Sequence, residues 1–271
     1  MSVVTRSVER KGPASVLAGG PLLIAHRGGG GLAPENTLAA FLQAAERWPV
    51  DMIELDVHAT ADGHCVVIHD PTVDRTTNGQ GAVAELSLSE LKELDAGYRF
   101  TVDGAFPFRD RDVRVPTLDE VLDALPKMRF TVEVKAEAAQ ALLFEAVDRH
   151  AARERVIAAG IHDRVRTLFG TYEGAISASA ETIRTFWIFH RLYLARFRRL
   201  PADVVQVPEH ESFVRVVTPR FVRDVHARGV PVHVWTVDDV EDMHRLLDWG
   251  VDGIITDRPD RLAAVLAERH A

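Results

Sequence analysis

The chain has 271 residues, 46% of them hydrophobic, and a formal net charge of −8. This is enough for a large core and is the usual length of one α/β barrel. The acidic balance, with no long Lys/Arg run, argues against non-specific nucleic-acid binding. The single cysteine, Cys65, excludes an internal disulfide and lies in an apolar run, where a small core residue is expected. No apolar run reaches the roughly 18 residues a spanning helix needs. Residues 1–20 are polar, contain Arg6, Arg10 and Lys11, and carry no apolar stretch of signal-peptide length. They read as a loose extension ahead of one domain spanning 21–271, in a soluble, cytoplasmic protein.

In chain order, the apolar run 22–25 leads through Gly28–Gly31 to a helix over 37–47, where Leu38, Phe41, Leu42 and Ala45 share one face. Strands are expected at 52–57 and 64–68. A helix follows at 117–125, with Thr117 as N-cap and Glu120 at the capping-box position. The pattern then gives strand 129–134, helix 137–150, strand 164–169, helix 180–199, strand 203–207 and helix 219–228. Strand 231–237, helix 239–249, strand 253–256 and helix 259–269 complete it, the last opening on Pro259. Eight strands alternating with helices predict an α/β fold, a parallel sheet closed as a (β/α)8 TIM barrel. Too few residues separate positions 57 and 64 for a helical crossover, which needs about a dozen. The second unit has therefore lost its helix. Residues 71–115, rich in Gly, Asp, Arg and Thr, are long for a connection and form a small insertion after the third strand, a lid or wall above a site.

Chemistry gathers where the strands end. Glu54 and Asp56 stand two apart and share one face of a strand, while Ile53, Leu55 and Val57 share the other. Two inward carboxylates need a compensating cation, and oxygen donors suit a hard divalent ion such as Ca²⁺ or Mg²⁺. The alternative is one exposed and one salt-bridged residue. Glu133 and Lys135 repeat the spacing, as a third carboxylate ligand and a compact charge for a phosphate oxygen, or as a plain ion pair. His26 and His69 are the proton-transfer candidates, because imidazole titrates near neutral pH. Gly28–Gly31 removes side chains where backbone must approach a ligand or turn sharply. Glu35 is placed to brace the metal shell or the loop, and Asn36 to cap the following helix.

The order H-R-G, P-E-N-T, E-L-D-V, V-V-I-H-D-P-T-V-D-R-T-T, E-V-K, W-T-V and G-I-I-T-D-R-P resembles the glycerophosphodiester phosphodiesterase family, over nearly the whole chain from Leu22. The resemblance implies a (β/α)8 barrel with an insertion after the third strand and one divalent cation held by Glu54, Asp56 and Glu133. It implies His26 and His69 as acid and base, Arg27 and Lys135 as phosphate-binding cations, and Trp235 as an aromatic on the glycerol side. The implied reaction hydrolyses a glycerophosphodiester to an alcohol and glycerol 3-phosphate; we take His26 as base and His69 as acid, with the roles open to exchange in a second half-reaction through a cyclic phosphate. Two departures stand out. Asp238 replaces a common asparagine, and Phe169–Tyr172 stands where many members carry a serine-phenylalanine pair, which bears on the leaving group. Residues 185–199 mix aromatics with Arg191, Arg196, Arg198 and Arg199. They read as an outer barrel helix, or as a peripheral membrane contact that would favour a lysophospholipid substrate. A catalytically silent ligand-binding barrel is the remaining alternative.

Overall fold

The computed structural model describes residues 15–270, so residues 1–14 of the expected extension lie outside it. Its strands are β1 (Leu22–Ala25), β2 (Met52–Ala59), β3 (Cys65–Val67), β4 (Arg129–Val134), β5 (Val156–Ala159), β6 (Ala175–Ile176), β7 (Val205–Pro208), β8 (His210–Glu211), β9 (Val214–Arg215), β10 (Val232–Trp235) and β11 (Gly253–Thr256). Its helices are α1 (Leu38–Arg47), α2 (Leu88–Glu93), α3 (Leu118–Ala124), α4 (Ala139–Arg149), α5 (Ala180–Arg191), α6 (Pro219–His226), α7 (Val240–Asp248) and α8 (Pro259–His270). Parallel strands run in the order β6-β5-β4-β2-β1-β11-β10-β7. A parallel bridge between Ser177 and Val204 joins the two ends and closes the barrel.

Strand alternation sorts the core into layers. Leu22, Ile24, Met52, Ile157 and Ile255 fill the barrel with Val16 and Leu17, which belong to a short 3-10 turn in the expected extension. The opposite parity, for example Leu23, Val232 and Ile254, packs outward against Phe221, Met243 and Leu262 of the helices. On α1 the buried residues are Ala40, Phe41 and Ala44, and Leu42 is exposed, so the apolar face lies about one residue away from the expected one.

Two strand expectations are corrected. The third run is not a barrel strand. β3 pairs antiparallel with β2, Val57 opposite Val67 and Ala59 opposite Cys65. A hairpin needs no crossover, which is why so few residues suffice. The second correction concerns 164–169, which forms two 3-10 turns, Asp163–Val165 and Phe169–Thr171, that bury Val165 and Phe169. The true strands flank it. β5 and β6 are only four and two residues long and half alanine, too short a branched run to stand out as strands. The count of eight barrel strands holds because these two replace the two misplaced ones.

The remaining elements follow their local signals. Thr117 caps α3 with a capping box to Glu120, as expected. The helix expected to reach 199 stops at Arg191, where Tyr193 adopts φ 60° and a 3-10 turn, Ala195–Phe197, follows. The insertion has its own apolar cluster, including Val73, Val83, Leu91 and Val115, packed on Val66 and Ile68. Cys65 is buried, and burial pushes its thiol up to about 12. Among the described residues, no helix is long and apolar enough to cross a membrane.

Candidate active site

His26, Glu133, Lys135 and Trp235 stand at or close to the C-terminal ends of parallel strands, and Glu54 and Asp56 lie within β2 just past its pairing with the last residue of β1. Glu54 and Asp56 alternate inward from β2, and the β2–β4 register sets Asp56 directly beside Glu133. One carboxylate oxygen from each of Glu54, Asp56 and Glu133 lies within 4.8 Å of the others. His69 arrives by the hairpin. β3 runs back along β2 until the Ile68 amide donates to the Asp56 carbonyl at 3.0 Å, so the next residue stands at the level of the carboxylates.

The charges in this cage are unequal. Lys135 Nζ lies 3.0 Å from Asp56 Oδ1 and 2.8 Å from Glu133 Oε1. Arg27 Nε makes a charge contact with Asp56 Oδ2 at 3.3 Å without an aligned hydrogen bond, and Arg27 Nη1 donates to Glu35 at 2.9 Å. Burial alone would raise the Asp56 carboxyl, but Lys135 and Arg27 override it and hold it below its usual range. Glu54 has no such partner. Its strongest contacts are the Arg27 backbone amide at 3.0 Å and His26 Nε2 at 3.8 Å. Burial, with the charge of Asp56 beside it, pushes Glu54 up to about 8. Burial also raises Glu133, against the pull of Lys135. If all three were ionised, these carboxylates would carry one negative charge more than Arg27 and Lys135 supply. A cation ligated by Glu54, Asp56 and Glu133 would relieve that excess, so the donor set fits a hard divalent ion.

His26 opens a 3-10 turn after β1 in which Arg27 has φ 50° and Gly28 has φ 84°. A Cβ on Gly28 would stand 2.6 Å from a Phe41 ring carbon, so only glycine lets this loop seat on α1. His26 Nδ1 donates to Asp257 Oδ1 at 2.8 Å, which turns Nε2 toward Glu54. Burial lowers the His26 pKa, but the bond to Asp257 and the charge of Glu54 outweigh it and raise it on balance. His69 Nδ1 donates to Asp70 at 2.6 Å. Trp235, half-buried at the end of β10, is separated from β1 only by β11.

Several site residues escaped the sequence reading. Asp257, just past β11, orients His26. His58 continues the inward parity of Glu54 and Asp56, and its Nε2 donates to the His69 carbonyl at 3.1 Å. That parity was the available signal for His58. Arg75, from the insertion, binds Glu35 at 2.7 Å through two nitrogens and Asp70 at 2.6 Å, tying the His69 loop to the Arg27 loop. Glu35 therefore braces the loops and not the carboxylate cage. Asn36 is not the helix cap; Thr37 is. Asn36 instead donates to Asp56 Oδ2 at 2.8 Å and accepts from the Asp56 amide at 3.2 Å. Asp238 Oδ1 accepts from Thr256 Oγ1 and from the Asp257 amide, both at 2.8 Å, a task that an asparagine carbonyl performs equally. Phe169 and Tyr172 pack against Phe144 in the outer core.

Residues 26–261 match the model of the glycerophosphoryl diester phosphodiesterase family. A glycerophosphodiester phosphodiesterase from Caldanaerobacter subterraneus subsp. tengcongensis is 36% identical over 249 residues, 89% of this chain and 96% of that protein. A probable glycerophosphodiester phosphodiesterase 2 from Mycobacterium tuberculosis is 35% identical over 259 residues, 93% and 92%. Among solved structures, a glycerophosphoryl diester phosphodiesterase domain from Mycobacterium tuberculosis superposes with TM-score 0.81 at 22% identity, covering 92% of this chain and all of that one, and so shares the fold. An Oleispira antarctica phosphodiesterase in complex with the product sn-glycerol-3-phosphate superposes with TM-score 0.74 at 26% identity, covering 92% and 97%. With its barrel, its carboxylate cage and these matches along nearly its whole length, the chain belongs to the glycerophosphoryl diester phosphodiesterase family.

Proposed function

We propose that the protein hydrolyses glycerophosphodiesters to an alcohol and glycerol 3-phosphate, with residues 21–271 acting as one catalytic domain and 71–115 as its insertion. One observation carries this reading: three carboxylate oxygens converge within 4.8 Å, and His26 Nε2 stands 3.8 Å from Glu54. In this reading Glu54, Asp56 and Glu133 hold one Ca²⁺ or Mg²⁺, which would supply Lewis-acid polarisation of the phosphodiester. Arg27 and Lys135 bind phosphate oxygens, and Trp235 packs on the glycerol face. Asp257 keeps the proton of His26 on Nδ1, so Nε2 is free to take one from the attacking hydroxyl, of water or of the glycerol itself. His69 gives a proton to the departing alkoxide. If a cyclic phosphate forms first, the two histidines exchange these tasks in the second half-reaction. The product-bound relative from Oleispira antarctica supports the choice of glycerol 3-phosphate. The single buried cysteine agrees with a cytoplasmic setting, which is part of the same proposal.

The test is release of glycerol 3-phosphate from glycerophosphocholine, with lysophosphatidylcholine as competitor, in Ca²⁺, in Mg²⁺ and in EDTA. Turnover of glycerophosphocholine that EDTA abolishes is the expected result. Faster turnover of lysophosphatidylcholine would move the substrate to lysolipids, and no turnover of either would leave a silent barrel.

A further inference from the structure

Many charged side chains on the described surface form ion pairs, among them Arg149 with Asp119 and Arg258 with Asp260, but one arginine-rich stretch does not. No acidic residue occurs between Glu181 and Asp203, a stretch holding Arg184, Arg191, Arg196, Arg198 and Arg199. Among the described residues, no carboxylate pairs with Arg191, Arg196, Arg198 or Arg199. Arg191 lies over the Trp187 ring at 5.3 Å and Arg196 over the Phe197 ring at 4.7 Å, so these guanidinium groups rest on aromatic faces. Beside them the chain holds large apolar side chains in solvent: Leu192 is 61% exposed, Tyr193 79% and Phe197 66%. These residues follow the break at the end of α5, while Phe186 and His190 on the same helix are buried. The apolar patch is thus not the inward face of a barrel helix. It is a separate surface at the helix end.

We infer that this patch docks on an anionic phospholipid bilayer, with Tyr193, Leu192 and Phe197 in the interfacial layer and the arginines among the headgroup phosphates. Charge complementarity selects this occupant. A protein of net charge −8 presents one strip with no acid and several unpaired arginines, mixed with exposed aromatics, and that combination suits an acidic lipid surface. The geometry also sets the orientation. α5 leaves the C-terminal end of β6 and returns the chain to the N-terminal end of β7, so the patch is at the barrel end opposite His26 and the carboxylates. Arg228, after α6, confirms that level by donating to the Arg198 carbonyl at 2.9 Å. Docking here points the catalytic mouth away from the bilayer, toward water-soluble substrates. This reverses the inference that membrane contact through 185–199 would favour a lysolipid substrate. The inference does not depend on the proposed reaction.

Sedimentation of the full chain with phosphatidylcholine vesicles, with and without phosphatidylglycerol, tests it. Binding should require phosphatidylglycerol and fall as salt shortens the Debye length from about 10 Å at 0.1 M to about 3 Å at 1 M. Combined Arg196→Gln, Arg198→Gln and Arg199→Gln should weaken partitioning on the order of 100-fold, with turnover of soluble glycerophosphocholine unchanged. For orientation, a polarity-sensitive dye at Phe197→Cys should be shielded from an aqueous quencher by anionic vesicles. The same dye at Phe213→Cys, in the turn between β8 and β9 beyond the C-terminal end of β7, should stay accessible, and the native Cys65 is buried and does not compete. No binding to anionic vesicles at low salt, equal binding to neutral vesicles, or wild-type binding by the triple variant would overturn the inference. So would a vesicle-free dimer, seen by analytical ultracentrifugation, that the triple variant disrupts, because it would assign the patch to a second copy.

Discussion

Glu54 makes the metal-free protein less stable as pH rises, and the effect can be worked from its surroundings. Its carboxyl is 6% exposed, and burial beside Asp56 pushes its pKa up to about 8 from the usual 4.5. Between those values the folded state keeps a proton that the unfolded chain has released, so stability falls with rising pH. Glu133 is raised as well and acts in the same direction. So does His26, whose raised pKa contributes stability below about 6.5 that is lost as pH rises through the folded value. Asp56 is depressed and acts oppositely, but only near and below its ordinary 3.8. At about 1.4 kcal/mol per tenfold change in proton affinity, Glu54 alone sets a ceiling of roughly 5 kcal/mol. Relaxation of the cage and entry of water bring the expected loss to about 1–3 kcal/mol between pH 5.5 and 8. Saturating Ca²⁺ should flatten the dependence, because the ionised Glu54 then has a partner. Urea denaturation at both pH values, in EDTA and in Ca²⁺, measures this, with Glu54→Gln as the isosteric control that should reduce the EDTA slope to the smaller part owed to Glu133 and His26. Equal stability of the wild type at both pH values in EDTA would falsify the charge-excess account of the cage.

Other outcomes are equally specific. His26→Ala and His69→Ala should each lower kcat by roughly 10²–10⁴ with thermal stability nearly intact, and near-normal turnover by both would remove them from the chemistry. Asp257→Asn, which keeps the size but offers a donor to Nδ1, should cost about 10²–10⁴ in kcat. It should also move the His26 proton to Nε2 in ¹⁵N imidazole spectra, and an unchanged tautomer would show that Asp257 does not set it. Asn36→Ala strips the buried Asp56 of two hydrogen bonds and should destabilise the protein by about 1–3 kcal/mol in urea, with weaker Ca²⁺ binding by calorimetry. A stability loss without any change in Ca²⁺ affinity would limit Asn36 to packing.

The barrel was legible because strand and helix periods alternate along most of the chain, and the cage because strand parity and the apolar flanks of Glu54 and Asp56 are local facts. What stayed hidden was non-local. Ala158 and Ala159 are strand residues only because β4 stands beside β5, and nothing in V-I-A-A marks them. The antiparallel sense of β3 was not read from the short connection, and only the pairing of Val57 with Val67 shows how His69 reaches Asp56. Asp257 is 231 residues from His26, and Arg75 is 40 from Glu35, so neither partnership leaves a trace in spacing. Asn36 misled for a related reason. Asn and Thr both cap helices, and only the fold shows which of the neighbouring pair turns back to Asp56.

The two histidine–carboxylate pairs look alike in bond length, but their surroundings give them different electrostatics. Asp70 is shared. Arg75 donates to its Oδ2 at 2.6 Å and to its Oδ1 at 3.2 Å, and this bond to Arg75 pulls its pKa down to about 2. Much of the Asp70 charge is therefore spent on the guanidinium before His69 draws on it. Asp257 accepts from no arginine or lysine among the described residues, and its backbone amide donates to the Asp238 carboxylate. Its full charge faces His26. A carboxylate that is free of a competing cation stabilises the imidazolium that forms when its histidine takes a proton, whereas a compensated one stabilises it less and favours release. This contrast supports the proposed assignment of His26 as base and His69 as acid in the first step. Arg75→Ala should then narrow the difference between the two pairs and lower kcat on glycerophosphocholine, by freeing Asp70 to hold His69 more strongly.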